Sequence, residues 1–105
     1  MEIYFVESTL ADLYEGKNTC HPYPPELICQ FIKAIKKIHS VNSIVKLNQY
    51  VSLQYQKRHE GPKKFGSILI NKHYRLIFEE IIQNTGAIEI HLLSIVETSK
   101  YYLAV

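Results

Sequence analysis

The chain has 105 residues and a mass of 12.2 kDa, the length of a single domain (1–105) that can bury a core without staples. Hydrophobic residues make up 47% and charged residues 21%, which excludes disordered, collagen-like and low-complexity classes. The net charge of +2, from 12 basic and 10 acidic side chains, is too small to indicate nucleic-acid binding by itself.

The opening segment, Met1 to Glu7, carries two acids and no basic region, unlike a signal peptide. No apolar run approaches the ~18–20 residues of a membrane span, so no membrane partner is expected. Cys20 and Cys29 form at most one disulfide, and a full-sized core has no need of one, so reduced thiols in a cytoplasm are expected. Cys20-His21 with Cys29 resembles half of a metal site that no second close pair completes. Neither a metal nor a cofactor is therefore expected.

Ile3 to Val6 reads as a first strand. Ser8-Thr9 offers an N-cap to a short helix with Leu10, Leu13 and Tyr14 on one face, and Gly16 is placed to end it. Lys17 to Pro25, with Pro22, Pro24 and Pro25, is a loop that leads into a second helix. From Glu26 to His39 the residues Leu27, Ile28, Phe31, Ile32, Ile35 and Ile38 form one apolar stripe, and Lys33, Lys36 and Lys37 occupy the other face. Ser40 to Asn48 suggests one or two helical turns. The remainder reads as sheet: Val51, Leu53 and Tyr55 alternate, then Phe65 to Ile70 follows the Gly61-Pro62 turn. Tyr74, Leu76 and Phe78 follow Asn71-Lys72, and Ile88, Ile90 and Leu92 follow Asn84-Thr85-Gly86. Short connections favour an antiparallel meander, giving an α+β fold with two N-terminal helices packed on a mainly antiparallel β-sheet.

Six of the twelve basic side chains fall between residues 57 and 75: Lys57, Arg58, Lys63, Lys64, Lys72 and Arg75. His59 and His73 lie among them, and Glu60 is the single acid of that span. Paired as hairpins, these residues are expected to converge on one end and one face of the sheet, as a phosphate-binding surface requires. The plainer reading is a solvated loop whose lysines protect sheet edges. Alternation puts Arg75 opposite Tyr74, Leu76 and Phe78, where a guanidinium suits a two-pronged phosphate contact or a salt bridge to Glu79 or Glu89.

At Tyr74-Arg75-Leu76-Ile77-Phe78 the sequence resembles the RelE/HigB superfamily of bacterial toxin–antitoxin toxins, and most of all its HigB-like plasmid maintenance killer branch. The resemblance spans nearly the whole chain: Phe5 through Lys17 at the start, the helix from Glu26 to His39, Phe65 to Asn71, and Ile88 through Tyr102. It implies a RelE-like fold and a metal-independent endoribonuclease that cleaves messenger RNA on the ribosome. In the implied chemistry the ribose 2′-hydroxyl attacks the adjacent phosphorus, so a base, an acid and stabilising cations are needed. A cognate antitoxin, in a hetero-oligomer with the toxin, is the implied protein partner.

Carried over by position, Arg75 stabilises charge on the phosphate, with Lys57 and Tyr102 as further catalytic candidates. Arg58, His59, Lys63, Lys64, Lys72, Lys100 and Tyr101 are the implied RNA contacts. The chain lacks the terminal histidine of some relatives, so His59, His73 or His91 is left to act as base. His73, read as sharing a strand face with Arg75, ranks first. Two further readings stand beside the ribonuclease. One is a ParE-like toxin that binds DNA gyrase; the other is a degenerate, non-catalytic module that binds an antitoxin.

Overall fold

The β-branched and aromatic run at the start forms β1 (Glu2–Phe5), followed by helices α1 (Ser8–Glu15) and α2 (Pro25–Ser40). The computed structural model describes residues 1–17 and 23–103, with backbone alone for 101–103. Cys20 and His21 thus lie outside the described residues, while Cys29 is exposed on α2. Helix α1 begins after Glu7, whose side chain makes no cap, so Ser8 and Thr9 fall inside the helix instead of capping it. Gly16 ends it with φ at 75°, a left-handed conformation that costs glycine little.

Pro25 opens α2 without losing a hydrogen bond, Glu26 sits in its first turn, and Lys37 and His39 sit in its last. Leu27, Phe31, Ala34, Ile35 and Ile38 recur at helical spacing and are buried. The Met1 ammonium donates to the carbonyls of Ile38 (3.4 Å) and His39 (3.1 Å), and to that of Val41, at the C-terminal end of α2. A third helix, α3 (Ile44–Asn48), is capped by Ser43, whose hydroxyl accepts from the Lys46 amide at 3.2 Å.

The segment expected to alternate as a strand at Val51, Leu53 and Tyr55 does not do so. Val51–Leu53 is a 3-10 turn, and Gln54 follows with φ at 46°, the one non-glycine residue with positive φ among those described. Leu53 turns inward while Val51 stays 86% exposed, because the chain coils here before entering the sheet. The strands proper are β2 (Gln56–Glu60), β3 (Lys63–Asn71), β4 (Tyr74–Ile82) and β5 (Ile88–Glu97), and α4 (Thr98–Leu103) closes the chain.

The strand order is β1-β5-β4-β3-β2. Strands β2 to β5 form the expected antiparallel meander, whereas β1 pairs parallel to β5, which makes the sheet mixed. The α+β class thus agrees with the sequence, and α3 and α4 add helices beyond the two at the N-terminus. Helices α1 and α2 cover one face, where Phe31, Ile38, Leu47, Ile68, Leu76, Phe78, Ile90 and Leu92 have no exposed surface. Burying each such side chain contributes ~1.5–3 kcal/mol before entropy is counted. The opposite face, which carries Tyr4, Arg58, Phe65, Ile77, Glu79, His91 and Val96 by register, is the open one.

At the edge of the core Gly66 lies beneath the Phe78 ring and the Glu80 carboxylate. A Cβ there would stand 2.5 Å from Phe78 Cε2 and 2.7 Å from Glu80 Oε2. Glu80, buried on the helix side, accepts a hydrogen bond from the Tyr55 hydroxyl at 2.5 Å, and the Tyr55 ring stacks on Phe78 at 6.3 Å. Burial, and then the bond to Glu80, push the Tyr55 phenol far above its ordinary value.

Gly66→Ala should overpack this corner and cost ~1–3 kcal/mol, read as a lower thermal midpoint. Tyr55→Phe should cost ~1–3 kcal/mol at neutral pH by leaving the Glu80 carboxylate without its donor. A phenol whose pKa is raised by folding contributes stability that is complete below its unfolded value of 10.0 and is lost above it. Urea midpoints at about pH 7 and about pH 11 should therefore fall less steeply with pH in Tyr55→Phe than in the parent.

Candidate nucleic-acid interface

Arg75 pairs with Leu69 on β3 and Val96 on β5, on the face opposite Leu76 and Phe78, as alternation predicts. It is not, however, presented to solvent: its relative exposure is 0%. Its Nε donates to Ser67 Oγ at 3.1 Å, and its Nη2 donates to the Gln54 carbonyl at 2.5 Å. A guanidinium buried this way makes no phosphate contact in this conformation. Through these bonds Arg75 ties the left-handed turn at Gln54 to β3.

The basic residues do not converge on one end. Lys63 and Lys64 start β3 and Lys72 follows its end, so the nine-residue strand separates them by ~25–30 Å. Within the β2–β3 hairpin, Arg58 pairs with Phe65 on the open face, whereas Lys57 and His59 pair with Gly66 and Lys64 on the other. His73 is not a β4 residue. It lies exposed in the turn, where its amide donates to Asn71 Oδ1 at 2.8 Å and its carbonyl accepts from the Thr98 amide at 2.8 Å. The shared face with Arg75 is thereby corrected, because the Asn71 side chain closes the turn before β4 begins. Lys100 lies on α4 beside Tyr101 and Tyr102, whose side chains are outside the described residues.

Arg58 and Lys100 do come together. Both line an open-face hollow of about 400 Å³ floored by Phe65, Ile77, Leu93 and Val96. Arg58 also pairs with Glu60 at 2.8 Å, and both side chains are partly exposed, so the pair is a weak one that an anion can replace. The floor is apolar and includes one aromatic ring, a surface suited to stacking or to another apolar group.

Cross-strand register sets Tyr4, His91, Glu79, Phe65 and Arg58 in one row across all five strands. His91 Nε2 lies 3.2 Å from Glu89 Oε1, and its ring sits 5.0 Å from that of Tyr4. The Tyr4 hydroxyl donates to Glu2 at 2.8 Å, and that carboxylate holds the phenol up at about 12. On the open face Glu2, Glu79 and Glu89 gather on β1, β4 and β5, while Arg58 on β2, paired with Glu60, and Lys100 on α4, 3.9 Å from Glu97, supply cations at the other side. Sequence reasoning ranks His91 behind His73. Period-two alternation assigns the face of His91 but not its neighbours, which depend on the pairing of β1 with β5.

Arg75→Ala should destabilise the fold by ~2–5 kcal/mol, through lost volume and the orphaned Gln54 carbonyl and Ser67 hydroxyl. Arg75→Lys should recover part of that loss, because one ammonium cannot replace a planar fork with two partners. Chemical denaturation of the three proteins measures both. Among known proteins, no family model matches the chain, and no curated protein matches it in sequence.

Proposed function

We propose that this chain is the toxin of a toxin–antitoxin pair, RelE/HigB-like in fold, which cleaves messenger RNA on the ribosome in the cytoplasm without a metal. The observation that carries the reading is the open sheet face, where Arg58 and Lys100 flank an aromatic floor at Phe65. A single-stranded segment is bound by such a combination of a stacking ring and cations that track phosphates. In this reading Arg58 and Lys100 stabilise charge on the phosphate, Phe65 stacks on a base, and Lys63 extends the cationic rim. The 2′-oxygen attacks phosphorus as its proton passes to a base, the P–O5′ bond breaks, and O5′ is protonated, leaving a cyclic phosphate. His91, oriented by Glu89, is the histidine on this face that fits the base, and Tyr101 and Tyr102 follow Lys100 along α4.

A second reading is favoured by the burial of Arg75 and the apolar lining of the hollow: a non-catalytic module whose open face is covered by an antitoxin.

Induction of the chain in bacteria, followed by mapping of RNA 5′ ends, separates these. Ribosome-phased cuts are expected, and Arg58→Ala combined with Lys100→Ala should reduce them about tenfold or more, equivalent to ~1.4 kcal/mol of lost transition-state stabilisation. Normal growth with intact messages would leave the antitoxin-binding module, and double-strand DNA breaks would instead indicate a gyrase poison.

A further inference from the structure

Between Glu26 and Glu60 the sequence contains no acidic residue, yet it contains Lys33, Lys36, Lys37, Lys46, Lys57 and Arg58. The fold carries four of these cations, Lys33, Lys36, Lys37 and Lys46, on its helices, away from the open face. Lys33 and Lys37, one turn apart on α2, line a shallow hollow with Gln30, Ser52 and the far end of β3. Asn71 Nδ2 donates to Gln30 Oε1 at 2.9 Å, which draws the end of β3 onto α2, while Lys72 in the turn beyond lines a separate hollow with His73 and Glu97. Lys36 and Lys46 are exposed on the adjoining surface. Among the described residues, no carboxylate lies within ion-pair distance of Lys33, Lys36, Lys37, Lys46 or Lys72.

Proteins that keep cations merely for solubility intersperse them with acids. A patch free of acids sets up a one-signed field, and a polyanion relieves it while releasing its own counterions. Three features narrow the polyanion. The cations are all lysines, flexible point charges that follow irregular phosphate positions and do not demand a planar carboxylate. Around Lys33 and Lys37 the hollow has no aromatic lining among the described residues, and the nearby Tyr50 ring already has the Lys37 ammonium 5.8 Å above it. The hollow is also shallow, at about 220 Å³ smaller than the ~300–1,000 Å³ of a pocket that anchors side chains or ligands. Duplex RNA, which is recognised by phosphates and shape and needs no splayed base, meets all three.

We propose that the α2–β3 surface, centred on Lys33 and Lys37, binds the phosphate backbone of base-paired RNA while the open face holds a single strand. The proposal deepens the ribonuclease reading by naming a structured RNA partner for the opposite side, but binding there requires no cleavage.

The test uses the full chain with two probes, an RNA hairpin of about two helical turns and an unstructured oligonucleotide, titrated at several salt concentrations. Lys33→Gln combined with Lys37→Gln removes two charges from exposed or half-exposed helix positions. Hairpin affinity should fall tenfold or more, and the slope of log K against log salt should shrink by about two, roughly one for each phosphate that no longer meets a lysine. Binding of the oligonucleotide should change by less than about twofold. Lys33→Glu with Lys37→Glu should lose hairpin binding altogether, with the thermal midpoint kept as the check on folding. Unchanged hairpin affinity and slope in both variants would overturn the proposal. So would a parent that ignores the hairpin but binds an acidic peptide through these lysines. Hairpin binding without RNA cuts in cells would remove the nuclease and leave this surface standing; cuts without hairpin binding would do the reverse.

Discussion

A guanidinium with no exposed surface sits where β3, β4 and the turn before β2 meet. Taking a charge out of water costs several kcal/mol unless its donors are met. Arg75 offsets part of that cost with the Ser67 hydroxyl and the Gln54 carbonyl, and the second partner has consequences for the chain path. Gln54 adopts a left-handed backbone that a side chain tolerates poorly, and the carbonyl it aims at Arg75 is the return for doing so. The Val51–Leu53 turn, the direction in which β2 enters the sheet and the placement of Arg58 all follow from that junction. Arg75 thus holds the platform on which the exposed Arg58 stands.

The charge layout follows from strand order. With β1 and β5 at one side and β2 and β3 at the other, acids of the first and last segments meet on one half and cations of the middle on the other. The small net charge conceals this because the two halves cancel in a sum.

Much of this is legible in the residues. The stripe of α2, the glycine that ends α1, the meander and the face assignment of Arg75 all express local periodicities of 3.6 and 2. What escapes is depth and neighbourhood. Alternation places Arg75 on the second face without showing that this part of the face is covered. A basic run in sequence reads as a basic patch, but a nine-residue strand carries its two ends far apart. Val51, Leu53 and Tyr55 mimic a strand because coiling also returns alternate residues to one side over so short a span. His73 reads as part of β4 because nothing in its identity shows that the Asn71 side chain closes the turn ahead of it.

The closing strand contains one residue more than its partner needs. Ile77 pairs with Ser94 and Phe78 with Leu92, so Leu93 is inserted between them. Before it, even-numbered residues such as Ile90 and Leu92 point to the helices; after it, the odd-numbered Ile95 does so, and Val96 turns to the open side. Leu93 thereby acts as a parity switch for everything downstream. Removing that one residue would exchange the two faces for the rest of the strand, carry α4 toward the helix side and take Lys100 away from Arg58. An insertion elsewhere in β5 would undo it, so the spacing between His91 and Lys100 is itself a constraint on how this surface can vary.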